Sequence, residues 1–280
     1  MREEVFTDLL SRQWAQGRMA CVGLDPDMAV VRASVTEPDT EQAITAYACA
    51  IVDATADLVC AYKPNIAFYE RWGVPGLAAL KNIITHINTV APQTAVIVDA
   101  KRGDIASTNE AYRDALFGYF GADAVTVQPY LGVEALRPFL DTRDKGVIVL
   151  CRTSNPGSGE LQNLQTSGET LYQRVARLAQ HDWNTQGNVG LLVGGTYPQE
   201  IAEVRTITPT LPLLVAGVGR QGGSVGDAVR AGATAFGGMI ISSSRAVIEA
   251  APGPAFAEAA RQATIRLHAE IEQARSVVTA

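Results

Sequence analysis

The sequence predicts an α/β fold, a (β/α)8 TIM barrel in a single domain. Three observations support it: eight short apolar runs, helical stretches between them, and a length of 280 residues, which suits one such barrel. Most of the runs are continuously apolar rather than alternating, which is typical of parallel strands covered on both faces. An open, doubly wound sheet is the alternative that the same succession of elements allows.

The strands are predicted where an apolar run is closed by Gly, Pro or polar residues. In chain order they are Met19–Leu24, Leu58–Lys63, Thr94–Asp99, Ala122–Val127, Gly146–Cys151, Val189–Val193, Pro212–Ala216 and Thr234–Ile240. Apolar residues at helical spacing predict the helices between them. These are Thr40–Ala56, Gly76–Val90, Ser107–Phe120, Gly168–Trp183, Pro198–Thr206, Ser224–Ala231 and Pro254–Arg275.

One long polar stretch, residues 152–168 (RTSNPGSGELQNLQTSG), follows the fifth predicted strand. A loop of this length at the C-terminal end of a barrel strand is a candidate active-site lid. A disordered surface loop is the alternative. We therefore treat residues 1–280 as one catalytic domain with a lid-like loop at about 152–168.

Composition narrows the class of protein. Hydrophobic residues make up 47% of the chain and charged residues 19%, which favours a globular protein with a sizeable core. The formal net charge of −6 argues against nucleic acid and anionic membranes as partners. No apolar run is long enough to span a bilayer, the N-terminus lacks the apolar region of a signal peptide, and the four cysteines are scattered. We expect reduced thiols and a cytoplasmic location.

Charged side chains stand where three of the predicted strands end, and active sites of barrels form at those ends. Asp25, Lys63 and Asp99 follow apolar runs, and Lys101 lies two residues after Asp99, on the same side of an extended chain. Asp104 can fold back toward them. A lysine among carboxylates stays protonated and can donate a proton to a carbanion. Carboxylates fixed beside a substrate carboxylate favour its loss. A structural ion-pair network is the alternative.

The stretch GVGRQGG at residues 217–223 follows the seventh predicted strand. Its G-x-G-x-x-G pattern comes too late for a dinucleotide fold, and no acid occurs between residues 234 and 245. The alternative we favour is a phosphate site built from the glycine backbone, including Gly219 and Gly222, and from the guanidinium of Arg245. A tight turn beside a surface arginine remains the other interpretation.

The sequence lacks the patterns of two other kinds of site. The three histidines, His86, His181 and His268, lie in helical stretches without the spacing of metal ligands. No G-x-S-x-G nucleophile elbow is present. We expect neither a zinc site nor a serine hydrolase.

VDAKRGDI at residues 98–105 resembles the D-x-K-x-x-D signature of the orotidine 5′-phosphate decarboxylases. The resemblance extends from about Cys21 to Arg245. Other matching features are Asp25, Lys63, Thr108, GVGRQGG and Arg245. AYKPNIAFYERWG and CRTSNPGS resemble the bacterial subgroup with a longer chain.

The resemblance implies that the chain converts orotidine 5′-phosphate to uridine 5′-monophosphate and carbon dioxide in pyrimidine biosynthesis. Lys101 would protonate C6 of the pyrimidine within a charged tetrad of Lys63, Asp99, Lys101 and Asp104. Asp104 and Thr108 would come from the partner subunit of a homodimer with shared active sites.

The same resemblance implies the binding roles. Asp25 and Lys63 would hold the ribose, and Ser154 would contact the pyrimidine. Gln221 and Arg245 would bind the phosphate, with Gln221 bridging to the lid-like loop. No cofactor or metal is expected. Two alternatives remain: a magnesium-dependent sugar-phosphate decarboxylase or aldolase of the same superfamily, and a non-catalytic nucleotide-binding barrel.

Overall fold

A computed structural model describes residues 4–219 and 222–278. Eight parallel strands close into a barrel, with helices between successive strands. The barrel confirms the predicted fold, and its closure excludes the open sheet. Its strands are β1 (Ala20–Gly23), β2 (Ala61–Lys63), β3 (Ala95–Arg102), β4 (Ala124–Val127), β5 (Gly146–Arg152), β8 (Val189–Gly194), β9 (Leu213–Ala216) and β10 (Met239–Ser243). Around the barrel they lie in the order β1-β10-β9-β8-β5-β4-β3-β2, while β6 (Gln165–Thr166) and β7 (Glu169–Thr170) form a separate hairpin.

The helices surround the barrel, and two of them continue into a π-helical turn. They are α1 (Phe6–Ala15), α2 (Met28–Ser34), α3 (Thr40–Thr55), α4 (Ala67–Glu70), α5 (Gly73–Val90), α6 (Ala106–Arg113, continued by Asp114–Phe120), α7 (Val133–Leu140), α8 (Gly159–Gln162), α9 (Leu171–Leu178, continued by Ala179–Trp183), α10 (Pro198–Ile207), α11 (Val225–Gly232), α12 (Arg245–Ile248) and α13 (Phe256–Val278). Within residues 4–219 and 222–278 no helix combines the length and apolar character needed to cross a bilayer.

The core lies inside the barrel and between its strands and helices. All residues of β1, β4 and β8 are buried, which explains why these strands appear in the sequence as continuous apolar runs. The first helix, α1, closes the N-terminal end of the barrel. There the ring of Phe6 packs so tightly on Gly146 that a β-carbon at this glycine would lie 2.2 Å from a ring atom.

The last barrel strand differs from its prediction. It spans Met239–Ser243, whereas the prediction placed it at Thr234–Ile240. Thr234 and Gly237 instead exchange two backbone hydrogen bonds of 3.0 Å, which makes a tight turn. Gly237 and Gly238 have φ angles of +105° and +75°, a conformation outside the range of a strand.

The connection between β5 and α9, residues 153–170, has regular structure of its own. A short 3₁₀ turn (Pro156–Ser158) leads into α8, and the hairpin β6 (Gln165–Thr166) and β7 (Glu169–Thr170) follows. Thr170 then caps α9 in a capping box with Gln173. We refer to residues 153–170 as the mouth segment, because it stands at the C-terminal end of the barrel.

Candidate active site

A cleft of about 720 Å³ opens at the C-terminal ends of the barrel strands. It is a concave site of the size that holds a small-molecule ligand, at the position where barrels carry their active sites. Six residues predicted from the sequence line it, namely Asp25, Lys63, Asp99, Lys101, Ser154 and Arg245. The closed barrel brings them together because each lies within, or shortly after, the C-terminal part of a barrel strand.

Asp99 is the central side chain of the charged array. Its Oδ2 lies 3.1 Å from Nζ of Lys63, and its Oδ1 lies 2.6 Å from Nζ of Lys101. The hydroxyl of Thr126 donates a third bond of 2.7 Å to Oδ1. One buried carboxylate thus holds two ammonium groups at the base of the cleft.

Neighbouring charges overcome the effect of burial in this array. Burial alone would raise the pKa of Asp99, but Lys63, Lys101 and the Thr126 hydroxyl lower that pKa well below its ordinary value. Burial alone would lower the pKa of Lys63, but Asp25 and Asp99 raise it above the ordinary value of a lysine. Asp99 and Lys63 therefore both carry their charge at neutral pH.

Lys101 has an unusual backbone conformation, with a φ angle of +45°. Its N–H donates to Oγ1 of Thr126 over 2.9 Å, and the pairing of β3 with β4 shifts register between Val98 and Arg102. Non-glycine residues rarely adopt positive φ, and such outliers concentrate at functional sites. The side chain is 40% exposed, so its ammonium group can reach a molecule bound in the cleft.

Asp25 is held by the neighbouring strand ends. Its Oδ1 accepts the N–H of Asn65 over 3.0 Å, and its Oδ2 accepts the hydroxyl of Ser244 over 2.6 Å. Ser244 lies against Gly23, where a β-carbon would come within 2.7 Å of the serine Cβ. The glycine therefore leaves the space in which Ser244 reaches Asp25.

The glycine-rich turn after β9 contributes Gly217 and Val218 to the cleft wall. The N–H groups of Gly219 and Gly222 donate inside the turn, to the carbonyls of Gly223 (2.9 Å) and Gly219 (2.8 Å). Gln221 lies outside the described residues.

Arg245, at the start of α12, is exposed and lines the same end of the cleft, so its guanidinium is available to an anion.

Asp104 and Thr108 do not line the cleft of their own chain, as far as residues 4–219 and 222–278 show. Oδ1 of Asp104 accepts the N–H of Ile105 over 2.7 Å, and its own N–H donates to Asn109. Thr108 lies in α6, with its N–H bonded to the Ile105 carbonyl. Both residues are half-buried and stand on either side of Ile105 in the sequence, whose side chain is exposed.

Sequence reasoning missed two polar residues of the array, Thr126 and Asn65. Thr126 lies within the apolar run AVTV of β4, where a β-branched residue is expected in any strand. Asn65 connects Asp25 to the array, since its side-chain nitrogen lies 3.5 Å from Oδ2 of Asp99. Its place two residues after the end of β2 was the only signal for it.

Among the described residues, no three His, Cys, Asp or Glu side chains are grouped as metal ligands.

Comparison with known proteins gives a consistent result. The family model described as orotidine 5′-phosphate decarboxylase / HUMPS family matches residues 18–262. Orotidine 5′-phosphate decarboxylase of Ralstonia pickettii is 49% identical over 97% of this chain and 99% of its own length. The enzyme of that name from Azoarcus is 50% identical over 93% and 96%. The structure of Leishmania donovani OMP decarboxylase superimposes with a TM-score of 0.80 at 39% identity, over 94% of this chain and 98% of that one.

Proposed function

We propose that Lys101 is the proton donor in the reaction of this chain, which belongs to the orotidine 5′-phosphate decarboxylase / HUMPS family. That reaction is the decarboxylation of orotidine 5′-phosphate to uridine 5′-monophosphate, a carbon–carbon lyase reaction on a nucleotide. The observation that carries the proposal is the ammonium group of Lys101, held 2.6 Å from Asp99 and open to the cleft. The relatives give no support to the two alternatives left open by the sequence.

The reaction needs a nearby acid because of the carbanion it produces. When the bond between C6 and the carboxylate breaks, its electron pair stays on an sp² carbon with little delocalisation. A preorganised positive group stabilises such charge without reorganising during the reaction. In the proposal the electron pair takes a proton from Lys101, carbon dioxide leaves, and the lysine regains its proton from solvent.

Asp99 has two roles in this proposal. It orients Lys101 through the 2.6 Å contact, and its charge stands where the substrate carboxylate would approach. Because Lys63 and Lys101 lower the pKa of Asp99, the carboxylate stays ionised next to an incoming anion. Repulsion between the two carboxylates would then be relieved as carbon dioxide leaves.

The binding roles follow from positions in the cleft. We propose that Asp25 and Lys63 hold the ribose, that Ser154 contacts the pyrimidine, and that Arg245 binds the phosphate. Gln221, with Gly219 and Gly222 of the same turn, is proposed at the phosphate end. A guanidinium suits a phosphate because it can donate two hydrogen bonds in one plane.

We also propose that the chain acts as a homodimer, with Asp104 and Thr108 completing the site of the partner subunit. This is supported by their half-buried position near the exposed Ile105 and by other exposed apolar side chains at this end of the barrel. Ile105 is 59% exposed, and Tyr130 and Leu131, which follow β4, are 83% and 46% exposed. Apolar groups so exposed near a charged site are typical of an interface.

A cytoplasmic location is a further proposal. All four cysteines are free thiols, and three of them are buried. Reduced, buried cysteines are ordinary in a reducing compartment. Fractionation of cells that produce the tagged chain tests this.

The deciding experiment compares Lys101→Ala with Lys81→Ala, a lysine in α5 outside the cleft. Conversion of orotidine 5′-phosphate is followed by absorbance, and binding of uridine 5′-monophosphate by calorimetry. We expect Lys101→Ala to lose turnover by several orders of magnitude while it still binds the product, and Lys81→Ala to resemble the wild type. Normal turnover by Lys101→Ala would refute the assignment.

A further inference from the structure

Arg152, the last residue of β5, has a buried side chain with no role in the chemistry described above. Its side chain is 4% exposed, and its Nε lies 2.7 Å from Oε2 of Glu200 in α10. Nη2 donates to the other carboxylate oxygen over 3.3 Å, so both oxygens of Glu200 face the guanidinium. The guanidinium carbon also stands 4.6 Å from the centre of the Tyr197 ring. One side of Arg152 is thus anchored to the loop and helix after β8.

The other side of the guanidinium faces the mouth segment. Its Nη1 donates to the carbonyl of Thr153 over 3.0 Å, to Oε1 of Gln162 over 3.2 Å, and to the hydroxyl of Ser158. These acceptors belong to the start of the segment, its 3₁₀ turn and α8. A single side chain therefore connects three parts of the mouth segment to the barrel.

The residues held in this way form one wall of the cleft. Oε1 of Gln162 accepts the N–H of Thr153 over 2.9 Å, and its Nε2 donates to the Thr153 hydroxyl over 2.9 Å. Thr153, Ser154, Asn155 and Gln162 all line the cleft. A shift of Arg152 would therefore move the cleft wall without changing any residue that faces a ligand.

We propose that Arg152, anchored by Glu200, is a positioning residue that sets the place of the 153–162 wall, and thereby the affinity for the nucleotide. The proposal rests on the proposed function in one respect, that Ser154 in this wall contacts the pyrimidine. The planar guanidinium is essential to it, because its fixed fork faces the carboxylate of Glu200 on one side while the two N–H groups of Nη1 are shared among three acceptors on the other. A lysine keeps the charge but cannot make this set of bonds.

The test compares Arg152→Lys and Glu200→Gln with a control, Arg177→Lys. Arg177 pairs with Glu169 over 3.0 Å near the end of the mouth segment, and neither residue lines the cleft. Three quantities are measured well below the unfolding temperature: the Kd for uridine 5′-monophosphate, kcat and KM, and the rate of proteolysis within residues 153–170.

We expect Arg152→Lys to raise Kd and KM by on the order of tenfold to a hundredfold, the range of effects that follow from a misplaced site. The mouth segment should be cleaved faster, and kcat should change less than KM. Glu200→Gln should give a smaller change in the same direction, and the double variant less than the sum of the two, since the residues act together. Arg177→Lys should leave Kd and KM unchanged.

Wild-type Kd and KM in Arg152→Lys would overturn the proposal, as would a loss of stability that leaves both values unchanged in the folded protein. If Arg152→Lys does not fold, Glu200→Gln decides the matter by the same criteria. Product binding involves no chemistry, so this result is separate from the role of Lys101. An active Lys101→Ala variant would refute the proton donor and leave the effect of Arg152 on Kd intact.

Discussion

The hydroxyl of Thr126 holds the backbone of Lys101 in its left-handed conformation. It accepts the lysine N–H over 2.9 Å and donates to Oδ1 of Asp99 over 2.7 Å. The same carboxylate oxygen lies 2.6 Å from the lysine ammonium. Thr126 therefore positions Lys101 from both ends, through its backbone directly and through its side chain by way of Asp99.

Replacement of Thr126 by valine should impair catalysis although the new side chain suits a strand. Thr126→Val removes one donor and one acceptor at similar volume, which leaves the Lys101 N–H without its partner in a positive-φ residue. We expect the free energy of unfolding to fall by about 1–3 kcal/mol, and kcat to fall on the order of tenfold because Lys101 is less well placed. Urea unfolding and steady-state kinetics measure the two.

A matched control is Thr264→Val. Thr264 is fully buried in α13, and its hydroxyl donates to the Ala260 carbonyl within its own helix. This variant should keep the wild-type kcat. If Thr126→Val does so as well, Thr126 has no positioning role.

The charge of Asp99 should determine stability in acid. Its pKa is lowered in the folded protein, so its contribution is present above the unfolded pKa of about 3.9 and is lost as pH falls through the folded value. The pKa of Lys63 is raised, so its contribution is complete below about 10.4 and is lost as pH rises through the folded value. For these two groups stability should be level between about pH 5 and pH 9 and should fall on either side.

Asp99→Asn should remove the share of the acid-induced loss of stability that comes from Asp99. It should also lower the free energy of unfolding between about pH 5 and pH 9. The variant leaves Lys63 as a buried charge that has lost its nearest carboxylate, and breaking a buried pair costs about 3–5 kcal/mol. Urea unfolding across the pH range measures both effects. The control is Asp57→Asn, because Asp57 pairs with Arg261 with over half of its side chain exposed, and should cost less than about 1 kcal/mol. If Asp99→Asn and Asp57→Asn lower the free energy of unfolding equally, the central role of Asp99 is contradicted.

Gly23 should be required for the position of Asp25. A β-carbon at this residue would lie 2.7 Å from Cβ of Ser244, the residue whose hydroxyl binds Asp25. Gly23→Ala should displace Ser244, raise the KM for the nucleotide severalfold, and cost about 1–3 kcal/mol in stability. Kinetics and urea unfolding provide the measurements. Gly118→Ala is the control, since no atom lies within 4 Å of its added carbon. An unchanged KM in Gly23→Ala would show that Ser244 does not position Asp25.

The barrel could be predicted because its strands are largely buried on both faces, so that most of them appear in the sequence as nearly continuous apolar runs. The prediction was wrong at β10, where the apolar residues Ala235 and Phe236 of the turn stand shortly before the apolar start of the strand. Helix α7 is one of several helices that were not predicted, and it contains Pro138, which interrupts a helical pattern. Local composition does not distinguish these cases from loops and strands.

The candidate site was predictable in part for a similar reason. Charged residues that follow apolar runs meet at one end of a barrel, so Asp25, Lys63, Asp99 and Lys101 could be grouped without coordinates. Thr126 could not, since a threonine inside a strand has no distinctive pattern. The pairing of Arg152 with Glu200 joins residues 48 positions apart, and only the folded chain shows that they meet.

Replacement of Arg245, the proposed phosphate ligand, should separate binding from chemistry. Arg245→Ala should weaken binding of uridine 5′-monophosphate by on the order of tenfold to a hundredfold, the value of one or two charge-assisted hydrogen bonds. Binding of uridine, which has no phosphate, should not change. Calorimetry with the two ligands measures the difference.

Arg266→Ala serves as the control for this prediction, because Arg266 is exposed on α13 and does not line the cleft. It should bind both ligands as the wild type does. Binding energy from a remote phosphate can be used at the reacting carbon, so Arg245→Ala should lose kcat/KM with orotidine 5′-phosphate but not with orotidine. If kcat/KM falls equally for the two substrates, Arg245 acts on the fold of the cleft rather than on the phosphate. If kcat/KM falls for neither substrate, Arg245 does not bind the phosphate.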